Sequence, residues 1–90
     1  MVECTFKDGA CKGASRYKKL GKTDTREQCV VRVMKREPLA NAACWGKLGI
    51  LGTAVTTKKK CYAYYGAESV KEYPWHNPQK GRWESCILKG

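Results

Sequence analysis

The segment TREQCVVRVMKR, residues 25–36, predicts the helix around which the chain is organised. Thr25 and Gln28 have the spacing of a capping box, in which both side chains accept hydrogen bonds from backbone N–H groups at the helix start. We expect the helix to end near Arg36, because Pro38 disfavours helical geometry at the residue before it. Thr25 is therefore the expected N-cap of a helix of about three turns.

The apolar side chains of this helix recur at the spacing of a buried stripe. They are Cys29, Val30, Val33 and Met34. The basic side chains of the same helix fall on its other side. They are Arg32, Lys35 and Arg36. The helix therefore buries an apolar side with its cysteine and presents a basic side.

Four segments outside the helix predict strands. Residues 15–20 fit a short edge strand, in which lysines discourage pairing with another chain. Residues 42–45 fit a buried strand, residues 60–65 alternate as in a half-buried strand, and residues 83–88 form the last strand. A loop from residue 46 ends in a possible strand at 53–57. We expect an α+β fold: one domain, 1–90, with a helix at about 25–36 packed on a small antiparallel sheet.

Cysteines dominate the expected stability of so short a chain. The protein has 90 residues and is 42% hydrophobic, which is too apolar for a disordered chain; no apolar run is long enough to span a membrane. Six cysteines in a chain of this length predict three disulfides and a secreted, extracellular protein. A zinc site and a reduced chain are the alternatives, but no two cysteines have the close spacing of zinc ligands. We therefore expect neither metal nor cofactor.

The sequence also favours one of the about 15 possible cysteine pairings. Domain ends are often close together, which favours Cys4–Cys86. A Cys29–Cys61 bridge would join the predicted helix to a predicted strand, which leaves Cys11 with Cys44. This pairing is a hypothesis.

The cysteine layout resembles that of PAN/apple-type modules. The matching stretches are Glu27-Gln28-Cys29-Val30, Ala43-Cys44-Trp45, Lys60-Cys61-Tyr62 and the Cys4 and Cys86 ends. Members of that family usually carry a second helix cysteine one turn after the first, and here that position is Val33. The resemblance implies a non-enzymatic module that binds proteins or glycans.

The sequence gives little support for catalysis. The one histidine, His76, lies in the turn-like stretch Pro74-Trp75-His76-Asn77-Pro78, so an exposed loop histidine is the simpler interpretation. A cysteine nucleophile needs an unpaired thiol, and the acidic residues are scattered rather than paired. We expect no catalytic residues and no enzyme activity.

The charge distribution points to the function. The net charge is +10, and residues 12–36 contain nine basic against two acidic residues, while residues 47–60 add four lysines and no acid. If these segments meet, they form one basic surface with a strong potential. The alternative is that the lysines only keep the protein soluble. The expected basic residues are Arg32, Lys35, Arg36, Lys58, Lys59 and Lys60, with Lys18, Lys19 and Lys22 in support.

We expect a monomer that binds an anionic extracellular target, either a sulfated glycan or an acidic protein surface. Secretion disfavours nucleic acid as the target. Tyr64, Tyr73 and Trp75 are candidates for exposed contact through their rings, although most aromatic residues fit equally well as core. The second hypothesis is a cationic antimicrobial or host-defence protein that acts on anionic membranes through the apolar loop 48–52, unless that loop folds over the core.

Overall fold

The computed structural model describes residues 3–47, 58–77 and 81–89. These residues form seven strands and one helix. In chain order they are β1 (Lys7–Asp8), β2 (Ala10–Lys12), β3 (Arg16–Lys22), α1 (Arg26–Arg36), β4 (Ala42–Gly46), β5 (Lys60–Tyr65), β6 (Ser69–Lys71) and β7 (Trp83–Ile87). The expected loop 48–52 and the possible strand at 53–57 lie outside the described residues.

Five strands form one antiparallel sheet in the order β1-β7-β4-β5-β3. The central strand β4 carries mostly small side chains, and those of Ala42, Ala43 and Cys44 are buried. β3 lies at one edge, as the lysines of that segment predict. The α+β fold with one helix on a small antiparallel sheet is confirmed.

Helix α1 begins as its sequence predicts. The hydroxyl of Thr25 accepts a hydrogen bond from the backbone N–H of Gln28, and the amide oxygen of Gln28 accepts one from the N–H of Asp24. The reciprocal bond therefore reaches one residue further back than in a standard capping box. The first bond satisfies one of the four N–H groups at the helix start that have no partner within the helix, and the second holds the loop that leads into the helix.

The buried stripe of α1 is narrower than its sequence predicts. Cys29 and Val33 are fully buried, but Met34 is 42% exposed and Val31 is 56% exposed. The prediction that Met34 is buried was wrong. The helix is only three turns long and contacts the sheet mainly through β4 and β5, so only the side chains that point directly at these strands lose contact with water.

All six cysteines are paired, and the favoured pairing is confirmed. Cys4–Cys86 joins the two ends of the chain, Cys29–Cys61 joins α1 to β5, and Cys11–Cys44 joins β2 to β4. The core is built from small residues and half-cystines around these bridges. It comprises Leu20, Cys29, Val33, Ala40, Ala43, Cys61, Ala63 and Cys86. With so little apolar volume, the cross-links supply much of the stability, at about 2–4 kcal/mol each.

Three short strands, β1, β2 and β6, were not predicted from the sequence. β2 and β6 pair as an antiparallel ribbon that packs on the side of β4 and β7 opposite α1, and β1 extends the main sheet beyond β7. The turn between β1 and β2 depends on Gly9, which has a φ of 144° and whose added Cβ would lie 2.1 Å from the carbonyl oxygen of Lys71. None of the described helices has the length and apolarity to cross a membrane.

Candidate functional site

The antiparallel register of β3 and β5 brings tyrosines and lysines together on the side of the sheet away from α1. Tyr17 lies opposite Tyr64, Lys19 opposite Tyr62, and Lys22 opposite Lys60. Opposite residues share a face of the sheet, whereas Leu20, Cys61 and Ala63 point into the core beneath the helix. We call this surface the tyrosine–lysine face; its residues are Tyr17, Lys19, Lys22, Lys60, Tyr62 and Tyr64.

One end of the tyrosine–lysine face is aromatic. The rings of Tyr17 and Tyr64 stack with their centroids 5.5 Å apart and their planes at 22°, and Tyr62 meets Tyr17 edge to face at 5.9 Å. Trp83 of β7 meets Tyr62 edge to face from the other side, with the ring centroids 5.4 Å apart. Gly46 of β4, which has no side chain, lies opposite Trp83.

The rings differ in how much of their surface remains accessible. Tyr62 is buried by its neighbours and Tyr64 is half-buried, while Tyr17 on the edge strand is 56% exposed. Burial raises the pKa of Tyr64, and the nearby phenols of Tyr17, Tyr62 and Tyr73 raise it further. The phenol of Tyr64 therefore stays neutral at physiological pH, and Tyr17 is the accessible ring of this cluster.

The other end of the face is basic. Lys19, Lys22 and Lys60 line a cavity of about 210 Å³ together with Gly21, Cys61 and Tyr62. Among the described residues, no carboxylate lies within 4 Å of these three amines, in contrast to the lysines that form ion pairs elsewhere. Lys22 and Lys60 lie directly opposite each other, and like charges in that position destabilise a sheet. The fold thus places three lysines around one cavity with no described carboxylate beside them.

The carboxylates that form ion pairs with strand lysines or Arg26 lie on the helix side of the sheet. Glu84 binds both Arg26 and Lys47, and Asp8 binds Lys47 at 3.0 Å. Burial opposes the charge of Lys47, but its hydrogen bonds with Asp8 and Glu84 outweigh this and raise its pKa. Ion pairing therefore neutralises cations on that side and leaves the opposite side of β3 and β5 with an excess of positive charge.

The basic residues of the helix form a separate surface. Val31, Arg32, Lys35 and Arg36 line an open groove along the outer side of α1, with Glu27 and Gln28. Arg32 also links this surface to β3, since its Nη1 donates to the carbonyl oxygens of Leu20 and Lys22 at 3.0 and 2.9 Å. The two basic segments of the sequence meet where Lys22 lies opposite Lys60, but the cations of the helix and the lysines of the tyrosine–lysine face occupy two sides of the molecule.

The remaining predicted residues lie apart from the tyrosine–lysine face. Lys18 points to the helix side, where it lies 3.6 Å from Glu37, and Lys59 lies 3.6 Å from Asp24. Lys58 is exposed in the turn before β5. Trp75 is 78% exposed in the turn that follows Pro74.

Four residues of this face were predicted from the sequence as binding residues: Lys19, Lys22, Lys60 and Tyr64. Tyr17 and Tyr62 were not predicted. The alternation of residues 15–20 already places Tyr17 and Lys19 on one side of a strand. What the sequence does not give is the register with β5, which is needed to see that both residues meet a tyrosine.

Within the described segments, His76 is exposed and no group of three His, Cys, Asp or Glu side chains is arranged to hold a metal ion. Comparisons of the chain with protein-family models, curated proteins and solved structures gave no match. The resemblance to PAN/apple-type modules therefore stays a prediction.

Proposed function

We propose that the protein is a secreted, non-enzymatic binding module that recognises an anionic extracellular target through the tyrosine–lysine face. The observation that carries this proposal is the cluster of Lys19, Lys22 and Lys60 around one cavity, with no described carboxylate among them. The target is a sulfated glycan or an acidic protein surface. Three disulfides in a small domain are compatible with an extracellular location.

Solubility alone accounts less well for this arrangement. A soluble surface needs charge, but it does not need like charges placed opposite each other in adjacent strands. Five of the eight acidic residues form ion pairs with Lys18, Arg26, Lys47 or Lys59. Lys22 and Lys60, in contrast, have no carboxylate neighbour among the described residues. Their positive charge is therefore available to a ligand, which supports a role in binding.

The test is binding to heparin and to poly-glutamate by calorimetry at physiological salt. We expect replacement of Lys19, Lys22 and Lys60 by glutamine to weaken both interactions by about tenfold or more. A matched variant that replaces Lys7, Lys12 and Lys89 by glutamine has the same net charge but alters other parts of the surface, and we expect it to retain most of the affinity. Equal losses in the two triple variants, or no binding by the unmodified protein, would contradict the proposal.

A second candidate function is host defence at anionic membranes. The loop 48–52 on which this hypothesis was based lies outside the described residues, but the outer side of α1 supports it in another way. Val31 and Met34 are exposed there beside Arg32, Lys35 and Arg36, and exposed apolar side chains next to cations suit the surface of an anionic bilayer.

Leakage from vesicles of phosphatidylglycerol and phosphatidylcholine tests this second candidate. A variant with Val31→Gln and Met34→Gln keeps the charge and removes the apolar contacts. Leakage by the unmodified protein that this variant abolishes would support membrane action, whereas the absence of leakage at physiological salt would exclude it.

A further inference from the structure

Tyr17 offers a flat, open ring at the edge of a binding surface. One side of its ring stacks on Tyr64, and Tyr62 holds it edge to face. β3 is the edge strand of the sheet, so no described strand covers the other side, and the residue is 56% exposed. The ring is therefore held in place by its neighbours before any ligand arrives, which lowers the entropic cost of binding to it.

The position of Tyr17 relative to the lysines defines the shape of the ligand. The pairs Tyr17–Tyr64, Lys19–Tyr62 and Lys22–Lys60 form three rows that are successive along β5, with a register shift in β3 between Lys19 and Lys22. Rows on one face of a strand are about 7 Å apart. A ligand that covers the ring must therefore carry its first anionic group about one row away and further anionic groups along the same line.

Resting on the proposed function, we infer that the tyrosine–lysine face selects a sulfated saccharide, with one sugar ring packed on Tyr17 and sulfate groups at Lys19, Lys22 and Lys60. The C–H groups on one side of a pyranose ring form a flat, weakly positive surface that fits the negative face of an aromatic ring. Sulfate groups project from the edges of the same and neighbouring sugars, where ammonium groups can bind them. The saccharide thus uses both ends of the face.

Other polyanions use only part of this arrangement. An acidic polypeptide presents carboxylates on flexible side chains and has no flat ring to place on Tyr17. A single-stranded nucleic acid does present flat bases, but such ligands are bound by several stacking platforms in series, and Tyr17 is the one ring of this cluster that is largely exposed. The three disulfides also favour an extracellular ligand.

The experiment measures the affinities of Tyr17→Leu and Tyr17→Phe for three probes: a heparin-derived hexasaccharide, poly-glutamate and an oligo-deoxythymidine strand. We expect Tyr17→Leu to weaken hexasaccharide binding by about five- to tenfold and poly-glutamate binding by less than twofold, because only the saccharide packs on the ring. Tyr17→Phe keeps the ring and should bind the hexasaccharide within twofold of the unmodified protein. Trp75→Leu removes an exposed ring elsewhere and serves as the matched control.

The results separate this inference from the proposed function. If Tyr17→Leu has no effect on hexasaccharide binding, or weakens all three probes equally, the saccharide inference is wrong even when the triple lysine variant still loses affinity. A larger effect of Tyr17→Leu on the oligonucleotide than on the hexasaccharide would overturn it in favour of a nucleic acid. If the triple lysine variant binds every probe normally, the proposed function itself fails. Proton NMR spectra of each variant verify that the fold is retained.

Discussion

The hydroxyl of Tyr65, at the end of β5, donates a hydrogen bond to the carboxylate of Glu37, the residue that ends helix α1. This contact joins the last turn of the helix to the sheet on the side opposite the tyrosine–lysine face. Lys18 of the edge strand lies 3.6 Å from the same carboxylate. Glu37 therefore connects three elements of the fold.

The Tyr65–Glu37 contact predicts a pH dependence of stability. The hydrogen bond from Tyr65, followed by the charge of Lys18, holds the pKa of Glu37 below its ordinary value of 4.5. Because the folded-state pKa is depressed, this stabilisation is fully present above about pH 4.5 and is lost as the pH falls through the folded-state pKa. Tyr65→Phe should raise the pKa of Glu37 towards 4.5 in an NMR titration. Tyr64→Phe, on the other side of the sheet, is the control, and an unchanged Glu37 pKa in Tyr65→Phe would contradict the assignment.

Arg32 should contribute to stability through the backbone of β3. Its Nη1 donates to the carbonyl oxygens of both Leu20 and Lys22, so Arg32→Met keeps the aliphatic stem and removes the two bonds. We expect the free energy of unfolding to fall by about 1–2 kcal/mol, a value reduced for partial exposure to solvent. Guanidinium unfolding with the disulfides intact measures it. Lys35→Met, on the exposed side of the same helix, should change stability by less than about 0.5 kcal/mol, and equal effects of the two substitutions would argue against a structural role for Arg32.

The helix N-cap predicts a further loss of stability. Thr25→Ala removes the hydroxyl that accepts from the N–H of Gln28, and we expect a loss of about 1 kcal/mol. Thr25→Ser keeps an acceptor at the same place and should restore most of this. Chemical unfolding of the three proteins provides the comparison, and a serine variant as unstable as the alanine variant would show that the methyl group matters rather than the cap.

The disulfide pairing can be verified directly. At least one lysine or arginine lies between every two consecutive cysteines, so trypsin separates all six into different peptides. Mass spectrometry without reduction should find Cys4 linked to Cys86, Cys11 to Cys44 and Cys29 to Cys61. A peptide that links Cys4 to Cys11 would contradict the fold. Replacement of Cys29 and Cys61 by alanine should cost about 2–5 kcal/mol, since it removes the bridge between helix and sheet.

The parts of the fold predicted from the sequence are those with a strong local pattern. The Thr25 cap and Pro38 fix the ends of α1, the run of small apolar residues at 42–45 marks the central strand, and alternation marks β5. β1, β2 and β6 contain only two or three residues each, too few for any periodicity, and they exist because they pair with distant segments. The exposure of Met34 likewise depends on how narrow the contact between helix and sheet is.

The candidate site was predicted only in part for the same reason. The charge excess is visible in the composition, but the division of the cations between two sides of the molecule depends on strand alternation and on the partner of each lysine. Lys18 and Lys19 are neighbours in the sequence, and yet one reaches Glu37 and the other lines the cavity with Lys22. Tyr17 belongs to the site because its ring stacks on Tyr64. Tyr64 comes 47 positions later in the chain, and only the register of the sheet places the two residues side by side.

The Cys4–Cys86 bridge has a practical consequence for attaching the protein to other materials. Its Cα atoms are 5.2 Å apart, and Glu3 pairs with Lys89 just beyond it, so a linker fused to either end leaves from the same corner. Cys86 belongs to β7, which is separated from β3 by the two strands β4 and β5, or roughly 14 Å across the sheet. A sensor chip or bead coupled through either terminus is therefore attached away from β3, the strand that carries Tyr17 and Lys19.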